Sequence, residues 1–273
     1  MTRAGEWQDA VGRSWAREWR RTDRSFAPLT AQLVAKVIAL SPQRIVDIGC
    51  GAGELSLEIG ARLAHAQIRG IDLSSDLIAA AKARGAGCNN VAFEIADAGL
   101  WSDAGFVPDT LMSRHGVMFF DTPVAAFQSL ARAAAPRARL VFSCFRERKI
   151  NAWITEIASL LPEAPTTDPR APGPFAFSDP DHVTTILRAA GWADIHFEAV
   201  DWQYVAGVGD DPVADAVDFF SHIGPLAPYL RSLDDAAQAR FKIKVAALAK
   251  QNLVEGSVSF KAAAWIVTAH KEG

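Results

Sequence analysis

Cysteine is scarce in this chain, with only Cys50, Cys88 and Cys144 among 273 residues. They are too few and too scattered for a disulfide framework or a thiolate metal site, so a reducing compartment is expected and no metal is. Long apolar runs are also missing: nothing approaches the ~20 residues needed to span a bilayer, and no charged-then-apolar leader follows Met1. Strong charge of one sign is absent too. The formal net charge is -3 and the isoelectric point lies near 6.1, which gives no general pull toward nucleic acid or an anionic membrane. The expectation is a soluble, cytoplasmic protein with no nucleic-acid or membrane partner. Oligomeric state is left open.

Half of the residues are hydrophobic, enough for a sizeable core in one elaborated domain or two small ones. Trp7, Val11, Trp15 and Trp19 recur every four residues, and Leu29, Leu33, Val34, Val37 and Ile38 repeat the pattern, predicting two amphipathic helices before residue 41. Strands at 43–48, 67–72, 90–95, 107–113 and 138–145 then alternate with helices at 53–64, 75–84 and 122–134. That alternation predicts a mostly parallel sheet with helices on both faces. Pro123 falls in a first helical turn, and Ser178-Asp179-Pro180 reads as a helix start whose run ends at Gly191. Six of the fourteen prolines lie between Pro162 and Pro180, predicting a long loop of the kind that serves as a lid or binding segment. A strand near 193–200, a helical stretch at 212–251 and a closing strand in "SVSFKAAAWIVTAH" complete the chain. The expected organisation is a cap at 1–40, a Rossmann-like core at 41–200, a helical cap insertion at 201–252 and a final core strand at 253–273.

The chemistry concentrates in "IVDIGCGAGELS", residues 45–56. A strand ending at Asp47, then Gly49, Gly51 and Gly53, then a helix, is the first turn of a nucleotide-binding α/β unit, where glycine permits tight turning and close ligand approach. The dinucleotide fingerprint needs its third glycine at position 54, where Glu54 stands instead. A carboxylate in that first turn also argues against a bound diphosphate. Asp72 ends the second strand and can accept hydrogen bonds from both hydroxyls of a ribose. Asp97 follows the third strand, where it can accept from the exocyclic amine of adenine. Three successive strand ends thus form a nucleoside pocket.

The segments "VDIGCGAGELS", "GIDLSSDLIAAAKAR", "IADA" and "DTLMSRHGVMFFDTPVAAFQSLARAAAPRARLVFSCFRE" resemble the class I S-adenosylmethionine-dependent methyltransferases, specifically the small bacterial UbiE-like group. The resemblance implies a seven-stranded sheet whose last strand is antiparallel. It implies that S-adenosylmethionine is bound with Asp47 and the loop Gly49, Cys50, Gly51 and Gly53 near its methionine moiety, Asp72 on the ribose, Leu73 on the adenine face, and Asp97 and Ala98 beside the adenine. Ser113 and Arg114, at the end of the fourth strand, belong to the same expected cofactor set. The usual Pro-Gly-Gly turn is Pro136-Arg137-Ala138 here, and His115 stands where a Phe is common.

His115 follows the strand that would face the transferring methyl group, and a general base is one role for it, a wall residue the other. No base is evident beside Cys50, whose small side chain suits the turn. "RERK" at 146–149 reads as a solvated segment, and the Trp7–Trp19 stripe as core packing, with a lid over a sulfonium as the other option. No Asn-Pro-Pro-aromatic tetrapeptide follows the fourth strand, which disfavours an amino-methylating nucleic-acid enzyme. A methyltransferase acting on a small organic acceptor through O, N or C leads. A nicotinamide-dependent oxidoreductase and a catalytically silent nucleoside-binding scaffold remain alternatives.

Overall fold

The computed structural model describes residues 7–162, 168 and 170–272. Part of the expected proline loop (163–167 and 169) and the first six residues of the expected cap therefore lie outside the described residues. Helices α1 (Ala10–Arg17) and α2 (Trp19–Ala39) precede the first strand. The core then alternates through β1 (Arg44–Ile48), α3 (Glu54–Arg62), β2 (Gln67–Asp72), α4 (Ser75–Arg84), β3 (Val91–Ile95), β4 (Thr110–Arg114), α5 (Pro123–Ala133) and β5 (Arg139–Phe145). After it come α6 (Ala152–Ala158), α7 (Pro180–Ala189), β6 (Trp192–Gly207), α8 (Pro212–His222), α9 (Leu226–Arg231), α10 (Asp235–Gln251), β7 (Leu253–Val254) and β8 (Ser257–Lys271).

The sheet order is β3-β2-β1-β4-β5-β8-β6, with the two-residue β7 pairing β8. β1 to β5 run parallel, while β8 is antiparallel to both β5 and β6. Strand order reverses between β1 and β4, and such a switch point opens a crevice at the carboxyl ends of the strands. The central strands are buried almost throughout, as in Arg44–Ile48, where only Arg44 is exposed, which fits strands covered by helices on both faces.

Local chemistry sets the boundaries. Pro123 occupies the first turn of α5, and the Asp179 side chain caps α7 by accepting from the amide of Asp181. Three expectations shift. The strand expected at 107–113 begins at Thr110, since Pro108 has no amide to give a ladder. The strand expected near 193–200 continues to Gly207, because β6 pairs along nearly all of β8. The helical stretch at 212–251 breaks into three at Gly224, whose φ is +86, and at Ser232–Asp234.

Candidate active site

The glycine loop uses each glycine differently. A Cβ at Gly49 would lie 2.9 Å from the Cα of Gly116, so that position is small because two backbones meet there. A Cβ at Gly53 would lie 2.7 Å from the Phe93 ring. At Gly51 a Cβ would meet no protein atom within 4 Å, and its φ of +56 favours glycine. Gly51 lines a large cavity. Protein packing thus explains two of the bare positions, and a ligand-sized space faces the third.

That cavity, of about 1050 Å³, opens over the carboxyl ends of β1 to β5. One side carries Asp47, Gly49, Cys50, Gly51, Asp72, Leu73, Asp97 and Ala98, eight of the residues expected to hold the cofactor. Asp47 is buried; its Oδ2 accepts from Ser56 Oγ at 2.6 Å and its Oδ1 has no partner. Burial pushes the Asp47 carboxyl up to about 7, against the hydrogen bond from Ser56. Asp72 Oδ2 accepts from the amide of Gly51 and Oδ1 from that of Ser74, each at 2.9 Å. Each oxygen retains a lone pair for a further donor. Burial raises the Asp72 carboxyl above its ordinary value, offset by these amides. Ser74, not Asp72, caps α4 by accepting from the amide of Leu77. Asp97 is exposed, lines the cavity and spends Oδ1 on the amide of Gly99 at 2.8 Å. The Cys50 thiol is buried and its acidity suppressed by burial beside Asp72 and Asp47, which leaves it inert as a nucleophile.

Gly53, Ser113 and Arg114 have structural partners. Gly53 lies off the cavity wall against Phe93. Ser113 is fully buried and donates to the carbonyl of Ile48 at 2.7 Å, tying β4 to the end of β1. Arg114 reaches the cavity but is held by Glu54 and by Thr30 Oγ1, with Asp23 Oδ1 at 3.7 Å. Asp23 also accepts from Arg84 at 2.7 Å, and Arg84 donates to the carbonyl of Ala52 in the glycine loop. Helix α2 is thereby anchored to the loop. The Glu54 that breaks the dinucleotide fingerprint is one end of this network.

His115 lies on the cavity wall with a left-handed φ of +59. Its ring stacks on Phe145 with centroids 4.0 Å apart and meets Phe26 edge-on at 5.3 Å. Nδ1 is 3.4 Å from Ser143 Oγ, and Nε2 is buried without a partner. Burial, with the charge of Arg114 second, pushes its pKa down to about 3. The imidazole is therefore neutral at physiological pH and a weak base.

The aromatic part of the lining was not legible as a site. Phe26, Phe145, Trp153, Phe175 and Tyr204 come from α2, β5, α6, the proline-rich loop and β6. Trp153 stacks on Tyr204 at 4.9 Å, and Phe145 lies 5.2 Å from Trp153 and 5.7 Å from Phe175. Two expectations change here. Trp7, Val11, Trp15 and Trp19 line the cavity instead of being sealed in the core, with Trp7 edge-on to Phe119 at 5.1 Å. Within the "RERK" segment, Arg148 faces the cavity and is not simply solvated. Its place directly beyond β5, at the carboxyl edge of the sheet, was the available signal.

The residues fit the implied cofactor. Gly51 gives a cradle that a Cβ would fill, Asp47 Oδ1 is an orphaned acceptor, and Asp72 and Asp97 present further acceptors along one wall. A methyltransferase-domain family model matches residues 41–191. The trans-aconitate 2-methyltransferase of Methylobacterium radiotolerans is 29% identical over 232 residues, which is 77% of this chain and 85% of that protein. The protein of the same name from Variovorax paradoxus is 23% identical over 244 residues, 81% of this chain and 89% of the other. Among solved structures, the YcgJ protein of Bacillus subtilis superposes with a TM-score of 0.52 at 16% identity, covering 89% of this chain and 99% of its own. Phosphoethanolamine N-methyltransferase 2 of Haemonchus contortus gives a TM-score of 0.55 at 15% identity, covering 97% and 61%. At such identities the superpositions show the fold alone.

Proposed function

Because this chain belongs to the methyltransferase-domain family and is an S-adenosylmethionine-dependent methyltransferase, we propose that it methylates a small organic acid on a carboxylate oxygen. When bound, S-adenosylmethionine supplies a methyl group activated by a positively charged sulfur, so the protein's task is mainly positioning. In this reading Asp47, the Gly49–Gly51 backbone, Asp72, Leu73, Asp97 and Ala98 hold the cofactor. Gly53 shapes the turn, while Ser113 and Arg114 brace it.

The observation that carries the acceptor class is His115. Its imidazole is buried, stacked on Phe145 and held at a pKa of about 3. A phenol or alcohol acceptor needs a base near neutrality, and this side chain is too weak for that role. A carboxylate arrives already ionised, gains the methyl on one oxygen and gives up its charge with no proton to remove. His115 then acts as a neutral wall and hydrogen-bonding group beside the acceptor. The relatives' names point the same way, since trans-aconitate is an organic acid.

The test is to incubate the enzyme with S-adenosylmethionine and carboxylic acids such as cinnamate, then treat the product with mild alkali. An ester releases its methyl as methanol. Turnover should be level between pH 8 and 9, where Asp47 is ionised and a carboxylate acceptor has no proton to lose. An alkali-stable product, or turnover climbing steeply with pH in that range, would contradict the carboxylate reading.

A further inference from the structure

Two of the contacts between the cap and the cofactor wall are made with α4, one at each of its ends. Gly12, the buried residue of α1, lies against Ser74, the N-cap of α4. A Cβ at position 12 would stand 2.3 Å from Ser74 Oγ and 2.1 Å from the carbonyl oxygen of Trp7, so the absence of a side chain is what lets α1 approach this turn. At the other end Arg84, the last residue of α4, is gripped by α2. Asp23 Oδ2 accepts from Arg84 Nη2 at 2.7 Å, and the Trp19 ring covers the same guanidinium at 3.7 Å. Ser74 and Arg84 each lead into the glycine loop. The amide of Ser74 donates to Asp72, which also accepts from the amide of Gly51, while Arg84 Nη1 donates to the carbonyl of Ala52 at 2.8 Å. The contacts form a closed circuit, from the cap through Ser74, Asp72 and Gly51 and back through Ala52 and Arg84 to Asp23.

We propose that Asp23 is a positioning residue for the cofactor: by holding Arg84 against the carbonyl of Ala52, it fixes the Gly51–Ala52 backbone on which the cofactor rests. This builds on the cofactor reading above. A guanidinium has donors on separate nitrogens in one plane, so a single side chain binds a carboxylate with one and a carbonyl with another. The Asp23 and Arg84 side chains are only 16% and 17% exposed, so water competes little for the pair. Without Asp23 a largely buried guanidinium loses its counter-charge and turns toward water, which releases Ala52. The loop needs such a hold, because Gly51 and Gly53 on either side of Ala52 are left-handed, with φ of +56 and +84, and glycine has little conformational preference of its own. A second tie of α2 lies outside the circuit: Arg21 pairs with Asp215 at 2.9 Å and Asp218 at 2.6 Å, both on α8.

The experiment titrates S-adenosylhomocysteine calorimetrically into wild type, Asp23→Ala, Arg84→Ala and the double variant, with Arg21→Ala as the control for a loosened cap. Asp23→Ala and Arg84→Ala should each weaken binding about tenfold, the scale of a lost charged hydrogen bond. The double variant should stay within about twofold of either single one, because both break the same link. Arg21→Ala should bind within about twofold of wild type. Asp23→Asn, of the same shape, replaces Asp23→Ala if the latter loses native helix content by circular dichroism, and should weaken binding about threefold or more. Wild-type affinity in the Asp23 variant overturns the proposal. So do losses that add in the double variant, since Asp23 would then act on the cofactor directly, and so does an equal loss in Arg21→Ala, since any loosening of the cap would then suffice. Asp72→Ala separates the underlying reading: a loss there without one in Asp23→Ala overturns the positioning role alone, and no loss in either overturns the reading as well.

Discussion

At the carboxyl ends of β1, β2 and β3 the cavity wall is backbone and carboxylate, drawn from residues within 47–98. The rest of the lining is aromatic ring and guanidinium, drawn from segments scattered between Trp7 and Arg231. The first wall is built by register. Asp47 pairs with Gly70, and Asp72 with Ile95, so parallel pairing sets the strand ends side by side and the loops after them converge. The second wall is built by packing of remote elements, with α2 crossing toward β6 and the cap tied down through Asp23, Arg84 and Arg114. A wall fixed by backbone tolerates little substitution of its own residues. A wall fixed by side-chain contacts can change one ring and keep the rest.

The sharpest way to break this contrast is Gly51→Val. Its φ of +56 costs a β-branched residue backbone strain, and the new side chain projects into the cavity where no protein atom now stands. Binding of S-adenosylhomocysteine should fall below detection while helix content by circular dichroism stays native. A folded variant that binds within tenfold of wild type would mean the glycine serves the turn alone.

A second, somewhat smaller effect sets one buried group from each wall against the other. His115, ordinarily near 6.5, is held at about 3. The unfolded chain takes up that proton first, so its contribution to stability is present above pH 6.5 and lost as pH falls toward 3. Asp47, ordinarily near 3.8, is held at about 7. Its contribution is present below pH 3.8 and lost as pH rises toward 7. Each is worth on the order of 4 kcal/mol across the window, with opposite sign, so wild type masks both. Relative to wild type, His115→Phe should lose stability as pH rises from 4 to 7, and Asp47→Asn should gain it. Urea unfolding at several pH values measures this, and offsets independent of pH would contradict both assignments.

The difference between the walls also explains what could be read from the chain. Asp47, Gly51, Asp72 and Asp97 are each local features: a strand, a short loop and a residue at a predictable distance. The alternating pattern that reveals the strands also reveals their ends. Phe26, Trp153 and Tyr204 carry no such mark, because an aromatic residue in an amphipathic helix or buried strand looks the same whether it faces a cavity or the core. The Trp7–Trp19 stripe shows this, having the period of a packed helix while lining the cavity. Arg148 was hidden for another reason: a run of charges beyond a strand reads as solvated until the fold turns one of them inward. Pro108 and the long pairing of β6 with β8 moved strand limits that propensity alone could not place.

The central claim, that cofactor and acceptor are held by separable walls, is tested most directly by one set of calorimetric titrations with S-adenosylhomocysteine on wild type, Asp72→Ala and Phe175→Ala. Asp72 accepts through both oxygens at the end of β2, and losing its charged hydrogen bonds to a ribose should weaken binding by about 2 to 3 kcal/mol. Phe175 is half-buried on the aromatic wall, and its loss should leave the cofactor product's affinity within about twofold. Unchanged affinity in Asp72→Ala, or an equal loss in both variants, would contradict the account.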